Sequence, residues 1–422
     1  MVRILGASFA AAYMLVANDV SADAGPSRWE YVLGTDFSYV STSGHPSWAE
    51  GSAGKLRYDD RTNGFTVTRA FGDYKLRLAD TLDARVVGEA YNDGIGSGLD
   101  LTQAYVEWRP LTLSPNRYRL KVGAFYPRIS LENTGPAWSS PYAISSSAIN
   151  TWLAEEVRIF GAEFSVSRRP QVFGALHTFT LSGAAFWNND PTGALVSWKG
   201  WSLHDRQTRF DDILPLPPLP QIRPDGRFWR QDPFLVPFME IDDTAGFYFN
   251  GEWQLGNRFL LRAGMYDNMA DPMGLEDRQY AWYTEFNHVG VQATLPGDIG
   301  LIAQWMSGET VMGPERNGAH VVDVEFASHF LLLTKTAGRH RITARFDQFD
   351  VGENDRFPLD DNTEHGHAWT MSYRFDLREH VGLAAEWLEV QTTRPAWAYN
   401  ELDTDKSERQ VQLSMQLRFG NR

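Results

Sequence analysis

The 422-residue chain contains no cysteine, which excludes a disulfide framework and thiolate chemistry. Beyond Ala17 it has no long charge-free apolar run, and a membrane-crossing helix needs about 20 consecutive apolar residues. Positive charge is also short: 39 Lys and Arg stand against 53 Asp and Glu, a formal charge of −14. That balance argues against a broad nucleic-acid surface. The glycines from Gly94 to Gly98 lack the GxGxxG spacing of a phosphate-cradling loop.

Aromatic side chains are plentiful instead, 13% of the chain with 15 tryptophans, although the mean hydropathy is only −0.37. A barrel with lipid outside and water inside gives this mixture, because half of each strand is apolar and the average is not. At the start, Met1-Val2-Arg3, the apolar stretch Ile4 to Ala17 and the Ala22-Asp23-Ala24 site read as a signal peptide over 1–24. The chain is then expected to be exported, with residues 25–422 forming the mature protein.

Period-two alternation bounded by turn residues marks sixteen strands, at 29–41, 65–79, 82–93, 100–110, 117–132, 155–168, 174–188, 245–256, 257–268, 280–296, 299–308, 320–334, 338–351, 364–377, 380–392 and 408–419. The connections sort by parity: long after odd strands, short after even ones. That is the pattern of extracellular loops and periplasmic turns, so the expected fold is an all-β, transmembrane antiparallel barrel. On the last strand Val411, Leu413, Met415, Leu417 and Phe419 should meet lipid, while Gln410, Gln412, Ser414, Gln416 and Arg418 should face water.

Two long connections stand out. Residues 133–154 carry prolines, a serine run and two tryptophans, too polar to cross a membrane and too rich in rings for an idle loop. They are expected to fold inward and narrow the pore, with Asn133, Trp138, Tyr142, Asn150, Trp152, Glu155, Glu156 and Arg158 as constriction candidates. Residues 189–244 hold Ile213-Leu-Pro-Leu-Pro-Pro-Leu-Pro220, which favours extended polyproline conformation. They could cap the mouth, enter the pore, or lie loosely on the surface.

Basic residues with inward parity are Arg69, Lys75, Arg77, Arg85, Arg109, Arg117, Arg119, Lys121, Arg341, Arg345 and Arg374. Asp73, Glu89, Glu107, Glu252, Asp323, Glu325 and Glu386 are assigned the same face. Rows of mixed sign read as a salt-bridged interior as readily as a selectivity device. The His365-Gly-His367 pair near Asp360, Asp361 and Glu364 matches no zinc spacing, and no pattern pairs His288 with a Ser or Asp. No metal, cofactor or catalytic residue is therefore expected.

AYVEWRP at 104–110 and LKVGAFYPRISLEN at 120–133, through Gly123, Phe125, Pro127, Ser130, Leu131 and Glu132, resemble a strand pair of the phosphate-selective (O/P-type) porin superfamily. The resemblance implies a sixteen-stranded barrel of the Gram-negative outer membrane, often trimeric, with its third extracellular loop folded inward. Phosphate selectivity is not carried over, since no Lys or Arg lies between Asn133 and Val157. The terminus also differs: the chain ends Phe419-Gly-Asn-Arg422 rather than on the aromatic residue read by the barrel assembly machinery. The expected function is passive diffusion of small hydrophilic or amphiphilic solutes, in contact with membrane lipid and lipopolysaccharide. A phospholipase- or protease-type barrel enzyme and a sealed structural or adhesive barrel are the alternatives.

Overall fold

The computed structural model describes residues 28–96, 98–168, 176–316 and 318–421; the expected signal at 1–24 lies outside them. The strands are β1 (Trp29–Thr42), β2 (Gly64–Ala79), β3 (Leu82–Ala90), β4 (Leu99–Trp108), β5 (Asn116–Phe125), β6 (Ile159–Arg168), β7 (His177–Trp187) and β8 (Gly246–Leu255). They continue as β9 (Phe259–Asp267), β10 (Tyr283–Leu295), β11 (Ile299–Met312), β12 (Val322–Ala337), β13 (His340–Glu353), β14 (Glu364–Arg378), β15 (Val381–Thr393) and β16 (Asp405–Gly420). Each pairs antiparallel with the next, and β1 pairs with β16 from Val32 opposite Gly420 to Thr42 opposite Gln410. The sheet is a closed sixteen-stranded barrel, as the alternation indicated.

Parity sets the two faces. On β16 Leu413 is 51% exposed on the outside, while its neighbour Gln412 is 1% exposed within. Around the wall Phe164, Leu181, Phe249 and Met371 likewise present bare apolar surface. Water would not tolerate so continuous a belt; a bilayer covers it. Trp29, Trp108 and Phe419 lie near the turn end and Trp187 and Phe160 near the loop end, the positions of interfacial aromatic girdles. Tight turns at 256–258 and 296–298 are made with Gly256 at φ 55° and Gly297 at φ 79°, a region that favours glycine.

Most strand ends shift by a few residues from the sequence reading, and at two of them the contacts show why. β5 stops at Phe125 rather than at 132. Residues 126–132 alternate like a strand, but their backbone groups bond to the lumen wall: Arg262 Nη1 donates to Ser130 O at 2.8 Å, and the Leu131 N–H donates to Gln304 Oε1 at 2.9 Å. β6 starts at Ile159 rather than 155, because Glu155 and Glu156 end a helix, α1 (Ala148–Glu156). Ser147 caps it, its side chain accepting the Asn150 N–H.

Candidate functional site

The connection between β5 and β6 crosses the lumen. β5 and β13 are eight strands apart in a ring of sixteen, hence on opposite walls. From the far wall Arg341 Nη1 donates to Pro141 O at 2.6 Å, Arg374 Nη2 to Ala143 O at 2.6 Å, and Arg345 Nη1 and Nη2 to Ser145 O and Ser146 O at 2.7 and 2.9 Å. Glu386 on β15 accepts the Ser145 N–H at 2.9 Å, and Asp347 accepts the Ala148 N–H at 3.1 Å. Arg345 also pairs with Glu132 at 2.6 Å and Asp347 at 2.8 Å, all three side chains at 0% exposure. The motif residues Ser130, Leu131 and Glu132 are thus the hinge by which the chain leaves the wall: Ser130 Oγ accepts the Asn133 N–H at 2.8 Å and Glu132 Oε2 accepts from Asn150 Nδ2 at 2.9 Å.

The second long connection, 188–245, lies over the first on its loop side. It carries the short helix α2 (Ala194–Trp198), and Trp198 and Trp201 are buried against Trp282 and Trp152. It too is tied all round: Thr284 Oγ1 donates to Thr192 O at 2.6 Å, Arg394 Nη2 to Ser197 O at 2.5 Å, Trp201 Nε1 to Asp350 O at 3.1 Å and Arg206 Nε to Asp93 Oδ2 at 2.8 Å. The two connections meet at Glu155 and Glu156, which titrate in opposite directions. Burial raises Glu155, but Lys199 and His204 overcome it and hold the carboxyl at about 2. Burial pushes Glu156 up to about 8, since its partners are the neutral N–H groups of Leu195 at 3.0 Å and Trp152 at 2.6 Å.

The candidate residues separate accordingly. Asn150, Trp152, Glu155 and Glu156 are buried in the packing between the connections. Trp138 and Tyr142 are partly exposed on the turn side, Trp138 stacked on Tyr126 at 4.1 Å and Tyr142 beneath the Arg341 guanidinium at 5.5 Å. Asn133, Trp138, Gln103 and Arg85 line a 330 Å³ cavity beside the crossing chain. Arg85 also lines an adjoining 310 Å³ cavity with Lys75, Tyr105, Glu107, Arg109, Arg119 and Lys121. Arg158 lies in the wall, donating to Thr102 O and Thr208 O.

The basic candidates are mostly paired. Arg69 meets Glu89 at 2.6 Å, Arg85 meets Asp73 at 2.5 Å, Arg119 meets Glu163 at 2.9 Å and Lys121 lies 3.9 Å from the same carboxylate. Lys75 and Arg77 share Glu30 and Asp83, and Arg109 meets Asp83 and Glu107. Arg117 instead ties the turn, donating to Thr112 O at 2.9 Å and Ser114 O at 3.0 Å. Arg341 and Arg374, opposite one another across β13 and β14, have no carboxylate partner among the described residues.

Asp323 and Glu325 correct the parity reading: they face outward, because Val324 and Phe326 on β12 point in, Phe326 against Trp152. His365 is on the exterior, bonded to Asp350 at 2.8 Å, and the buried ring of His288 bonds to Asn250 Oδ1 at 2.8 Å. Among the described residues, the carboxylates close enough together to hold a metal are Asp190, Glu240 and Asp242, with ligand atoms within 4.8 Å. Asp190 already accepts the N–H of Ile241 at 2.5 Å and of Asp242 at 3.2 Å. The sequence shows little sign of Tyr126 and Gln103, whose places beside Trp138 and the 330 Å³ cavity come from contacts with distant chain. Only the parity of Gln103 and the proximity of Tyr126 to the motif hinted at them.

The sequence matches no protein-family model and no curated protein. Its fold does have relatives among solved structures. The outer membrane channel DcaP of Acinetobacter baumannii superposes with a TM-score of 0.52 at 10% identity, over 93% of this chain and 96% of that one. An anion-selective porin from Comamonas acidovorans gives 0.50 at 12% identity, over 93% and 99%. The chain has the fold of the outer-membrane porins.

Proposed function

We propose that residues 25–422, after removal of a signal at 1–24, form a Gram-negative outer-membrane channel for passive diffusion of small hydrophilic or amphiphilic solutes. The lumen is narrowed by residues 133–154, and the connection at 189–244 stands over the narrowing on its outer side. The observation that carries this reading is the crossing itself: the chain after β5 is bonded to β13, β14 and β15 on the opposite wall. Beside it, cavities of 330 and 310 Å³ adjoin at Arg85 and give a solute room on the turn side. On the opposite wall Arg341 and Arg374, without carboxylate partners among the described residues, add positive charge to the lumen and so favour anions there. The fold shared with a channel and an anion-selective porin supports the same class. The motif at 120–133 suggests the O/P-type superfamily, with a homotrimer, lipopolysaccharide and the barrel assembly machinery as the partners it implies. No enzymatic role is proposed, since the His288 ring bonds to an amide rather than to a serine or a carboxylate.

A sealed barrel is the second reading, favoured by the near-complete burial of Ala194 to Leu203. Single-channel conductance in planar bilayers separates the two. On the channel reading the full chain conducts, and deleting residues 134–144 raises the conductance. Conductance unaffected by that deletion would remove the narrowing from this connection. A silent full chain that conducts only after residues 194–237 are deleted would establish the sealed barrel.

A further inference from the structure

The barrel wall has a seam at its loop end. β4 and β5 pair only from Trp108 opposite Leu120 to Ala104 opposite Ala124, yet β4 runs on to Leu99. Residues 99–103 therefore lack a strand on that side, and a piece of the 188–245 connection takes the vacant edge. The Phe210 N–H donates to Leu101 O at 2.9 Å and the Asp211 N–H to Asp100 Oδ2 at 2.8 Å.

Arg158, just before β6, spans what is left of the gap. Its Nη1 donates to Thr102 O at 3.2 Å and Thr208 O at 2.8 Å, and its guanidinium is sandwiched 4.3 Å from the Phe210 ring and 3.8 Å from the Phe238 ring. The side chain is 4% exposed, and among the buried arginines of the described residues it is the one without a carboxylate partner. Nε and Nη2 make no hydrogen bond among the described residues. A charge buried at this depth is costly unless it is paired, and the rings offset only part of that cost.

Space for a partner adjoins the guanidinium. A 330 Å³ pocket is lined by Arg158, Ile159, Phe160, Ala124, Phe210 and Phe238, within the size range of small-ligand sites. It opens on the lipid side, where Phe160 is 55% exposed on the outward face of β6. Below it the outward residues of β5 and β6 are Val122, Leu120, Ala162 and Phe164, an apolar track for a hydrocarbon chain.

We propose that this seam pocket binds the anionic head of a single-chain amphiphile, the carboxylate or phosphate on Arg158 and the chain along the lipid face of β5 and β6. The site lies in the wall, so it stands independently of whether the lumen conducts. The test uses the full chain in maltoside micelles, titrated by calorimetry with decanoate, decyl phosphate and decanol. At least one anion is expected to bind, one per chain, and decanol is not. Preference for decanoate marks a free fatty acid as the source, and preference for decyl phosphate a single-chain (lyso) phospholipid. Arg158→Gln should weaken anion binding by about thirtyfold or more, the fold-change expected when one member of a buried charge pair is lost. Ala124→Phe, which fills the pocket and leaves Arg158 in place, should also weaken it. The proposal is overturned if neither anion binds more tightly than decanol, or if Arg158→Gln binds both as the parent does. Should Arg158→Gln fail to fold, undiminished anion binding by Ala124→Phe overturns it alone.

Discussion

The loop half and the turn half of the lumen are built from the same kinds of residue and differ in what those residues do. Toward the loops, inward charges are fully buried and neutralised: Arg345 with Glu132 and Asp347, and Lys55 and Arg394 with Glu364, at 0 or 1% side-chain exposure. Between them lie Trp152, Trp198, Trp201 and Trp282, an aromatic core inside a membrane barrel. Toward the turns, Arg109 at 49% and Arg119 at 24% side-chain exposure pair with Asp83 and Glu163 while keeping contact with water. Inward parity is thus not a role. Depth decides whether an arginine ties two loops together or keeps its field open to the water of the lumen.

Arg345→Met probes the comparison most severely. It leaves Glu132 and Asp347 buried without their cation, and removing one member of a buried ion pair costs about 3–5 kcal/mol. Arg109→Met, half exposed and set against Asp83 and Glu107, should cost no more than about 1 kcal/mol. Urea titrations of the two variants in micelles give both figures. Equal losses would erase the distinction between the halves.

The neighbours Glu155 and Glu156 sharpen it through pH. Glu156 is held at about 8 against an ordinary value of 4.5, so its contribution is fully present below pH 4.5 and fades as pH rises through 8. Across that window the slope is about 1.4 kcal/mol per pH unit at most. Glu155, held at about 2, contributes above pH 4.5 and loses that contribution as pH falls toward 2. Glu156→Gln, which keeps a neutral side chain beside Leu195 and Trp152, should flatten the decline in melting temperature between pH 5 and 8. A variant that declines as steeply as the parent would mean that the proton is held elsewhere.

The barrel was legible in the sequence because its signal is local: alternation fixes a strand and its two faces without knowledge of the neighbours. Where alternation misled, a distant partner had changed its meaning. Residues 126–132 alternate, yet Arg262 and Gln304 on far strands take their backbone bonds. On β12 the cause is local instead: alternation puts Asp323 and Glu325 inward because the strand is apolar on both faces, Phe326 and Phe330 within and Leu331 and Leu333 without. The proline run at 213–220 announced extended backbone but not where it would go. Position in the chain groups Arg158 with the constriction, and only the early end of the β4–β5 ladder puts it in the wall.

The smallest effect concerns the boundary between the halves. Ala137 and Trp138 hold φ of 48° and 53°, a left-handed conformation uncommon outside glycine. Tethers over-determine it: the Ala137 N–H donates to Asp73 at 3.0 Å, and Ala137 O accepts from Arg69 at 2.8 Å and Gln207 at 2.6 Å. The result is an indole stacked on Tyr126 at 4.1 Å and lining the 330 Å³ cavity beside Arg85. Trp138→Ala forfeits a stack of about 0.5–1.5 kcal/mol and leaves the tethers intact, so the barrel should melt almost as before. If the solute path runs beside this ring, its conductance should nevertheless rise. An unchanged conductance would move the narrowest point into the loop half, where Trp198 and Trp201 rather than Trp138 would stand in the way.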